Sequence, residues 1–98
     1  MRDTLAMSAG SVIRHDDRGR YELDVDGEVV AFAEFSVDGG SIVIPYIETA
    51  PQHRGNGYSS MLMDGVIDDL RTRGVTVRAT CPVARAHLAS NAAELLVR

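Results

Sequence analysis

The sequence predicts an α+β domain: antiparallel strands one to four, then a helix, a fifth strand and a short C-terminal helix. Three observations carry this reading. Apolar and polar residues alternate from Ser11 to Thr49, apolar residues recur at the helical period from Ser59 to Thr72, and alternation returns at Val75–Ala79. A run of strands followed by helix, strand and helix buries its apolar surfaces by laying helices on a sheet. The 98 residues suit one domain, expected over 11–98, behind a small, polar and frayed segment over 1–10.

Val12–His15 reads as a short strand and Asp16-Asp17-Arg18-Gly19 as a turn. Tyr21, Leu23 and Val25 alternate with Glu22, Asp24 and Asp26, the pattern of a strand with one face in the core and one in water. Asp26-Gly27 is a strong hairpin signal, because a two-residue turn needs positive φ at both positions. Val29–Val37 follows as a more buried strand, ended by Asp38-Gly39-Gly40, and Ser41–Thr49 is the fourth. Pro45 lies inside that fourth strand. It cannot donate to a ladder, so a bulge or a sheet edge is expected there.

Leu62, Met63, Val66, Ile67 and Leu70 make one helical stripe, with Asp64, Asp68 and Arg71 opposite. Asp69 and Arg73 stand four apart, a pairing worth about 0.3 kcal/mol. Gly74 fits the position that ends the helix. Val75, Val77 and Ala79 then alternate with Thr76, Arg78 and Thr80. Cys81-Pro82 closes this strand, and Pro82 suits the start of a last helix, expected over Val83–Ser90. The tail from Asn91 to Arg98 fits no single pattern.

Composition narrows the function. A formal charge of −4 and the lack of a basic run argue against a nucleic-acid partner. No apolar stretch nears the roughly 18 residues of a membrane span, and no signal-peptide core opens the chain, so no membrane partner is expected. A single cysteine cannot make an internal disulfide, which points to a reducing, cytoplasmic setting. All ten basic residues are arginine, as codon usage in a GC-rich bacterial genome would give. His15, His53 and His87 are scattered without metal-ligand spacing, so no metal is expected.

The stretch Pro51-Gln52-His53-Arg54-Gly55-Asn56-Gly57-Tyr58-Ser59 stands where the fourth strand leads into the helix. A helix start presents backbone N–H groups without intrahelical partners, and its dipole adds partial positive charge. Gly55 and Gly57 permit positive φ and close approach of a ligand to the backbone, and Arg54 adds a permanent cation. The construction suits a phosphate or pyrophosphate. On spacing alone an ordinary turn is the alternative. A Walker loop is excluded, because no Gly-Lys-Ser/Thr follows. A dinucleotide fingerprint fits poorly: Ser60 stands at the third glycine position, and the loop follows antiparallel strands.

Gln52-x-x-Gly55-x-Gly57 resembles the pyrophosphate loop of the GCN5-related N-acetyltransferases. With the run Glu48–Ser60 and the downstream Thr80-Cys81-Pro82, the chain is similar to a minimal single-domain branch of that superfamily over roughly Val12 to Asn91. The resemblance implies a GNAT-like fold in which the fourth and fifth strands splay apart. The pantetheine arm of coenzyme A would lie in the resulting cleft, flanked by Ile47 and Thr49. Its pyrophosphate would rest on Gln52, His53, Arg54, Gly55, Asn56, Gly57, Tyr58 and Ser59. A bulge at Pro45 would help to create the splay.

The same resemblance implies catalytic candidates, each with a plainer alternative. Glu48 breaks the apolar run where a general base would lie near the thioester; a solvated strand-end carboxylate is the alternative. Tyr46, two residues earlier on the same face, could protonate the departing thiolate or could simply pack as an aromatic. The branch usually carries histidine there. Cys81 matches a cysteine proposed for the branch's active site, and a helix N-terminus makes a thiolate more available. A lone cysteine is otherwise a small buried hydrophobe. Arg85 could meet a coenzyme A phosphate or serve as an ordinary surface arginine. Asn91 replaces the histidine of a His-Pro-Glu-Tyr-like ending of the branch, and Asn91-Ala92-Ala93-Glu94 preserves little of that ending.

The resulting expectation is transfer of an acetyl group from acetyl-CoA to an unidentified amine. The first rival is a module that binds coenzyme A or acyl-CoA without turnover, since a chain this short lacks the segments from which larger relatives build an acceptor pocket. The second is a small interaction protein whose loop is only structural. A monomer or a homodimer is compatible with all three, because an exposed sheet edge permits pairing.

Overall fold

A computed structural model describes residues 10–97. The segment expected to be frayed therefore lies outside the described residues apart from Gly10, as does Arg98. Five strands form one sheet in chain order: β1 (Ser11–His15), β2 (Arg20–Val25), β3 (Glu28–Asp38), β4 (Ser41–Thr49) and β5 (Thr76–Ala79). The first four are antiparallel, and β5 pairs in parallel with β4. Helix α1 (Tyr58–Arg73) makes the crossover between β4 and β5, and α2 (Pro82–Asn91) follows β5.

Local chemistry explains the boundaries. Asp26 (φ 52°) and Gly27 (φ 84°) form the two-residue turn between β2 and β3. The Asp24 carboxylate accepts the Gly27 N–H at 2.9 Å. Gly74 ends α1 in the left-handed conformation (φ 68°, ψ 34°), and its N–H returns to the last turn. Pro82 opens α2, where a missing N–H costs nothing. The ambiguous tail folds back. A 3₁₀ turn spans Ala93–Leu95, Leu96 bridges Val77, and Val97 donates to the Val77 carbonyl at 2.9 Å.

Both helices pack on one face of the sheet. The α1 stripe Leu62, Met63, Val66, Ile67 and Leu70 is buried, against Tyr21, Leu23, Ala31, Ala33 and Ile44. Ala84 and Leu88 of α2 join Val77 and Ala79 in the same core. Gly65 lies where α1 passes closest to β1. A Cβ there would fall 2.5 Å from Val12 Cβ and nearer still to Cγ2. Alanine favours a helix interior by about 1 kcal/mol over glycine, but here overpacking outweighs that gain. We expect Gly65→Ala to destabilise by about 1–3 kcal/mol, read from urea unfolding.

At the edge of this core, the buried Tyr21 hydroxyl donates to Asp69 Oδ2 at 2.7 Å, as does Arg73 Nε at 2.7 Å. The expected Asp69–Arg73 pair is thus present. Burial pushes the Asp69 carboxyl upward, but the bonds from Tyr21 and Arg73 outweigh it and hold the group below the usual carboxylate range. A depressed folded pKa stabilises the protein above the unfolded value, near 3.9, and the contribution is lost as pH falls through the folded value. Thermal midpoints should therefore fall more steeply below about pH 4 for the parent than for Asp69→Asn.

One expected surface is corrected. Glu22 was read on a wet strand face, yet only 7% of it is exposed. It does point away from the helices, but His15 Nε2 (3.0 Å), Arg18 Nη1 (3.3 Å) and Arg20 Nε (3.8 Å) close over it. His15 on β1 and Arg18 in the turn, invisible to a one-strand pattern, join Arg20 of β2 itself in burying this carboxylate.

Candidate functional site

Pro45 decides where the sheet opens. In the β3–β4 ladder Tyr46 faces Glu34 and Val43 faces Ser36, so Ile44 and Pro45 together oppose Phe35 alone. That is a bulge, as the proline led one to expect. Pairing of β4 with β5 ends at Ile44↔Ala79, and the N–H groups of Thr80 and Cys81 both turn to the Ile44 carbonyl, at 3.1 and 3.3 Å. Beyond this point β4 stays paired to β3 through Thr49, but among the described residues no strand lies along its other edge. A cleft of about 320 Å³ fills the gap. Tyr46, Ile47, Glu48 and Thr49 form one wall, His53, Arg54, Gly55 and Gly57 the end, and Tyr58, Ser59 and Val83 the helix side.

The loop at the end of the cleft is shaped for an anion. After a 3₁₀ turn at Pro51–His53, Arg54 is extended and Gly55 (φ 87°) and Gly57 (φ 75°) take left-handed conformations. The first α1 backbone bond runs from Met61 N–H to the Gly57 carbonyl at 3.1 Å, and among the described residues no side chain caps the helix. The N–H groups of Tyr58, Ser59 and Ser60 thus precede the intrahelical ladder and are available to a ligand. A Cβ on Gly55 or Gly57 would meet no atom within 4 Å. Open space over bare backbone, free donors and the exposed Arg54 fit a pyrophosphate.

Other contacts fix this loop. His53 Nε2 lies 2.9 Å from Glu28 Oε2 on the β2–β3 hairpin, and its ring meets Tyr58 edge-on at 6.0 Å. Asn56 Nδ2 donates to the His53 carbonyl at 3.0 Å. Asn56 therefore braces the loop instead of bordering the cleft. Gln52 is exposed and does not border it either.

Tyr46 and Glu48 share the sheet face turned away from the helices, and the Tyr46 hydroxyl donates to Glu48 Oε1 at 2.5 Å. This bond, with further contributions from partial desolvation and the charges of Glu48 and Glu34, holds the phenol above its ordinary pKa. Tyr46 thus holds its proton, and it is 44% exposed. Cys81 stands differently. It is 8% exposed, belongs to the hydrophobic core and does not border the cleft. Arg85 is exposed on α2, away from the cleft lining.

Sequence reasoning passed over Val83, Glu28 and a second groove of about 420 Å³ between α1 and α2. That groove shares Ser59 and Val83 with the cleft, so the two are continuous. Asp64 and His87 bridge the two helices at 2.8 Å. Helical spacing identified α1 and Pro82 announced α2, but neither showed the gap between them. Among the described residues no group of three His, Cys, Asp or Glu side chains gathers as metal ligands, and no helix is long and apolar enough to cross a membrane.

Comparison with known proteins adds to this geometry. A family model described as GCN5-related N-acetyl-transferase matches residues 20–95. A GCN5-like protein from Staphylococcus aureus superposes with a TM-score of 0.66 at 18% identity, over 93% of this chain and 91% of its own. The ribosomal-protein-S18-alanine N-acetyltransferase of Escherichia coli gives 0.61 at 25% identity, over 81% of this chain and 54% of its own, so this chain spans about half of that enzyme. YhhK of Escherichia coli, solved bound to coenzyme A, gives 0.51 at 13% identity, over 85% and 66%. The first and third of these likenesses speak to fold alone. No curated protein matches by sequence.

Proposed function

The chain belongs to the GCN5-related N-acetyltransferase family, and from that premise we propose that it transfers the acetyl group of acetyl-CoA to a primary amine. The observation that carries this reading is the cleft opened by the Pro45 bulge, with free helix N–H groups at one end and the Tyr46–Glu48 pair at its wall. Acetyl-CoA supplies an acyl carbon already activated as a thioester. The N–H groups of Tyr58 and Ser59, with the bare backbone at Gly55 and Gly57 and the cation of Arg54, would hold its pyrophosphate. The edge of β4 at Ile47 and Thr49, where no described strand pairs and the Thr49 carbonyl accepts only a long 3.4 Å bond from Arg54 Nε, would hydrogen-bond the pantetheine amides. The groove between α1 and α2 gives room for the nucleotide, with Arg85 exposed on the same helix for a phosphate.

The proton follows a short route. The Glu48 carboxylate takes the proton that the attacking amine gives up, as the N–C bond forms and the C–S bond breaks. The Tyr46 hydroxyl gives its proton to the leaving sulfur, and Glu48, already hydrogen-bonded to Tyr46, restores it. The amine proton thus ends on the thiol, and both side chains return to their starting state. Cys81, buried outside the cleft, has no part in this route.

Two measurements test the proposal. Isothermal titration should show one coenzyme A bound per chain; no binding sinks the reading and leaves a structural loop. Thiol release from acetyl-CoA should then depend on an added amine. Binding without amine-dependent release would mark a module that holds the ligand without turnover.

A further inference from the structure

The transfer reading leaves one carboxylate beside the cleft without a role. Glu34 stands directly across from Tyr46 in the β3–β4 ladder and is exposed. Among the described residues it makes no hydrogen bond or ion pair. Its β2 neighbour Arg20 leans to Glu22 instead, at 3.8 Å, and lays its guanidinium 3.7 Å above the centre of the Phe32 ring. Phe32 faces Glu48 across the same ladder, and its ring lies 6.0 Å from that of Tyr46. Four side chains thus form a square: carboxylates on one diagonal, Glu34 and Glu48, and aromatic rings on the other, Tyr46 and Phe32. Both helices pack on the opposite face of the sheet, so no described element covers the square. Tyr46 and Glu48 also border the cleft, so the square and the cleft meet at the groups that would handle the proton.

We infer that this square is the acceptor subsite, and that it selects a primary amine carrying one positive charge and no adjacent carboxylate, with Glu34 as the selecting residue. The inference rests on the transfer reading above. A free amine is mostly protonated at neutral pH, so the acceptor arrives as a cation. Glu34, with no partner among the described residues, attracts it without breaking a described pair, and the face of Tyr46 favours an ammonium over it. Glu48 takes one ammonium proton and releases it to water, which frees the nitrogen lone pair; the second proton leaves as the N–C bond forms and reaches the thiol by the Glu48–Tyr46 route above. An α-amino acid would bring its carboxylate beside Glu34 and Glu48, and like charges repel. A second cation on the acceptor would meet Arg20, which already occupies Phe32.

The test uses tyramine and tyrosine, which differ by one carboxylate, titrated into protein saturated with coenzyme A. Tyramine should bind at least tenfold more tightly than tyrosine. Glu34→Gln should weaken tyramine several-fold, with coenzyme A affinity and the thermal midpoint unchanged. Raising the salt concentration should weaken tyramine binding to the parent more than to the variant. In steady state the variant's effect should fall on the KM for tyramine and not on that for acetyl-CoA. Absence of tyramine binding, equal affinity for the two amines, or an unmoved tyramine affinity in Glu34→Gln would overturn the subsite and leave coenzyme A binding standing. Failure of coenzyme A itself to bind would take down both readings.

Discussion

Replacing Gly57 with valine is expected to remove detectable coenzyme A binding from a protein that still folds. Gly57 holds φ at 75°, and a Cβ there would meet no protein atom within 4 Å. The variant therefore overfills no core. Valine is strongly disfavoured in the left-handed region, at about 1–2 kcal/mol or more. The loop would relieve that strain by rotating the backbone, which turns the Tyr58 N–H away from the cleft. Where strain does not move the loop, the side chain fills the space proposed for the phosphate. Charge-assisted hydrogen bonds are worth about 1.5–3 kcal/mol each, so losing two weakens binding about 10²- to 10⁴-fold. Gly39→Val is the matched control. Gly39 has φ 63° and equally open surroundings, but it lies in the β3–β4 turn at the far end of β4 from the loop. It should cost similar stability and leave coenzyme A affinity unchanged by titration. A folded Gly57→Val protein that binds as well as the parent would show that the loop is not the site.

Features set by a residue's own backbone preferences were legible in the sequence. Asp26-Gly27, Gly74 and Pro82 act through φ or a missing N–H, so their positions follow from residue type alone. Pro45 belongs with them, although the consequence is larger. One absent donor places a bulge, and the bulge places the cleft. What depends on register was not legible. Nothing in the order of residues sets Glu34 opposite Tyr46, or brings Glu28 within 2.9 Å of His53 across the hairpin. Glu22 was misread for the same reason, since His15 and Arg18, which help Arg20 to bury it, come from β1 and the β1–β2 turn and not from its own strand. Cys81 stands between the two cases. Its place ahead of α2 is a local fact, but its depth follows from the pairing that turns its N–H to the Ile44 carbonyl. The family loop was recognisable as a unit, while the division of labour within it was not. Asn56 spends its side chain on the His53 carbonyl, a local bond typical of asparagine in loops.

Glu48→Gln and Cys81→Ser should separate two chemistries that the same fold could support. The glutamine keeps the size of the side chain and can still accept from the Tyr46 hydroxyl, but it cannot take a proton from the amine. We expect kcat to fall about 10²-fold or more, the scale for loss of a general base, with coenzyme A affinity little changed because the loop is untouched. Cys81→Ser should keep most activity, since the thiol lies in the core and does not border the cleft. Its penalty should be one of stability, about 1–3 kcal/mol for a buried hydroxyl without a partner. The energetics point the same way. Moving acetyl from one thioester to another gains little free energy and adds a step, whereas a deprotonated amine held against the carbonyl reacts once. Direct transfer leaves no acyl-enzyme, so incubation with acetyl-CoA alone should not add an acetyl mass to the protein. An acetyl adduct on Cys81 that is chased onto an added amine, together with an inactive Cys81→Ser variant, would replace the Glu48 route with a covalent one.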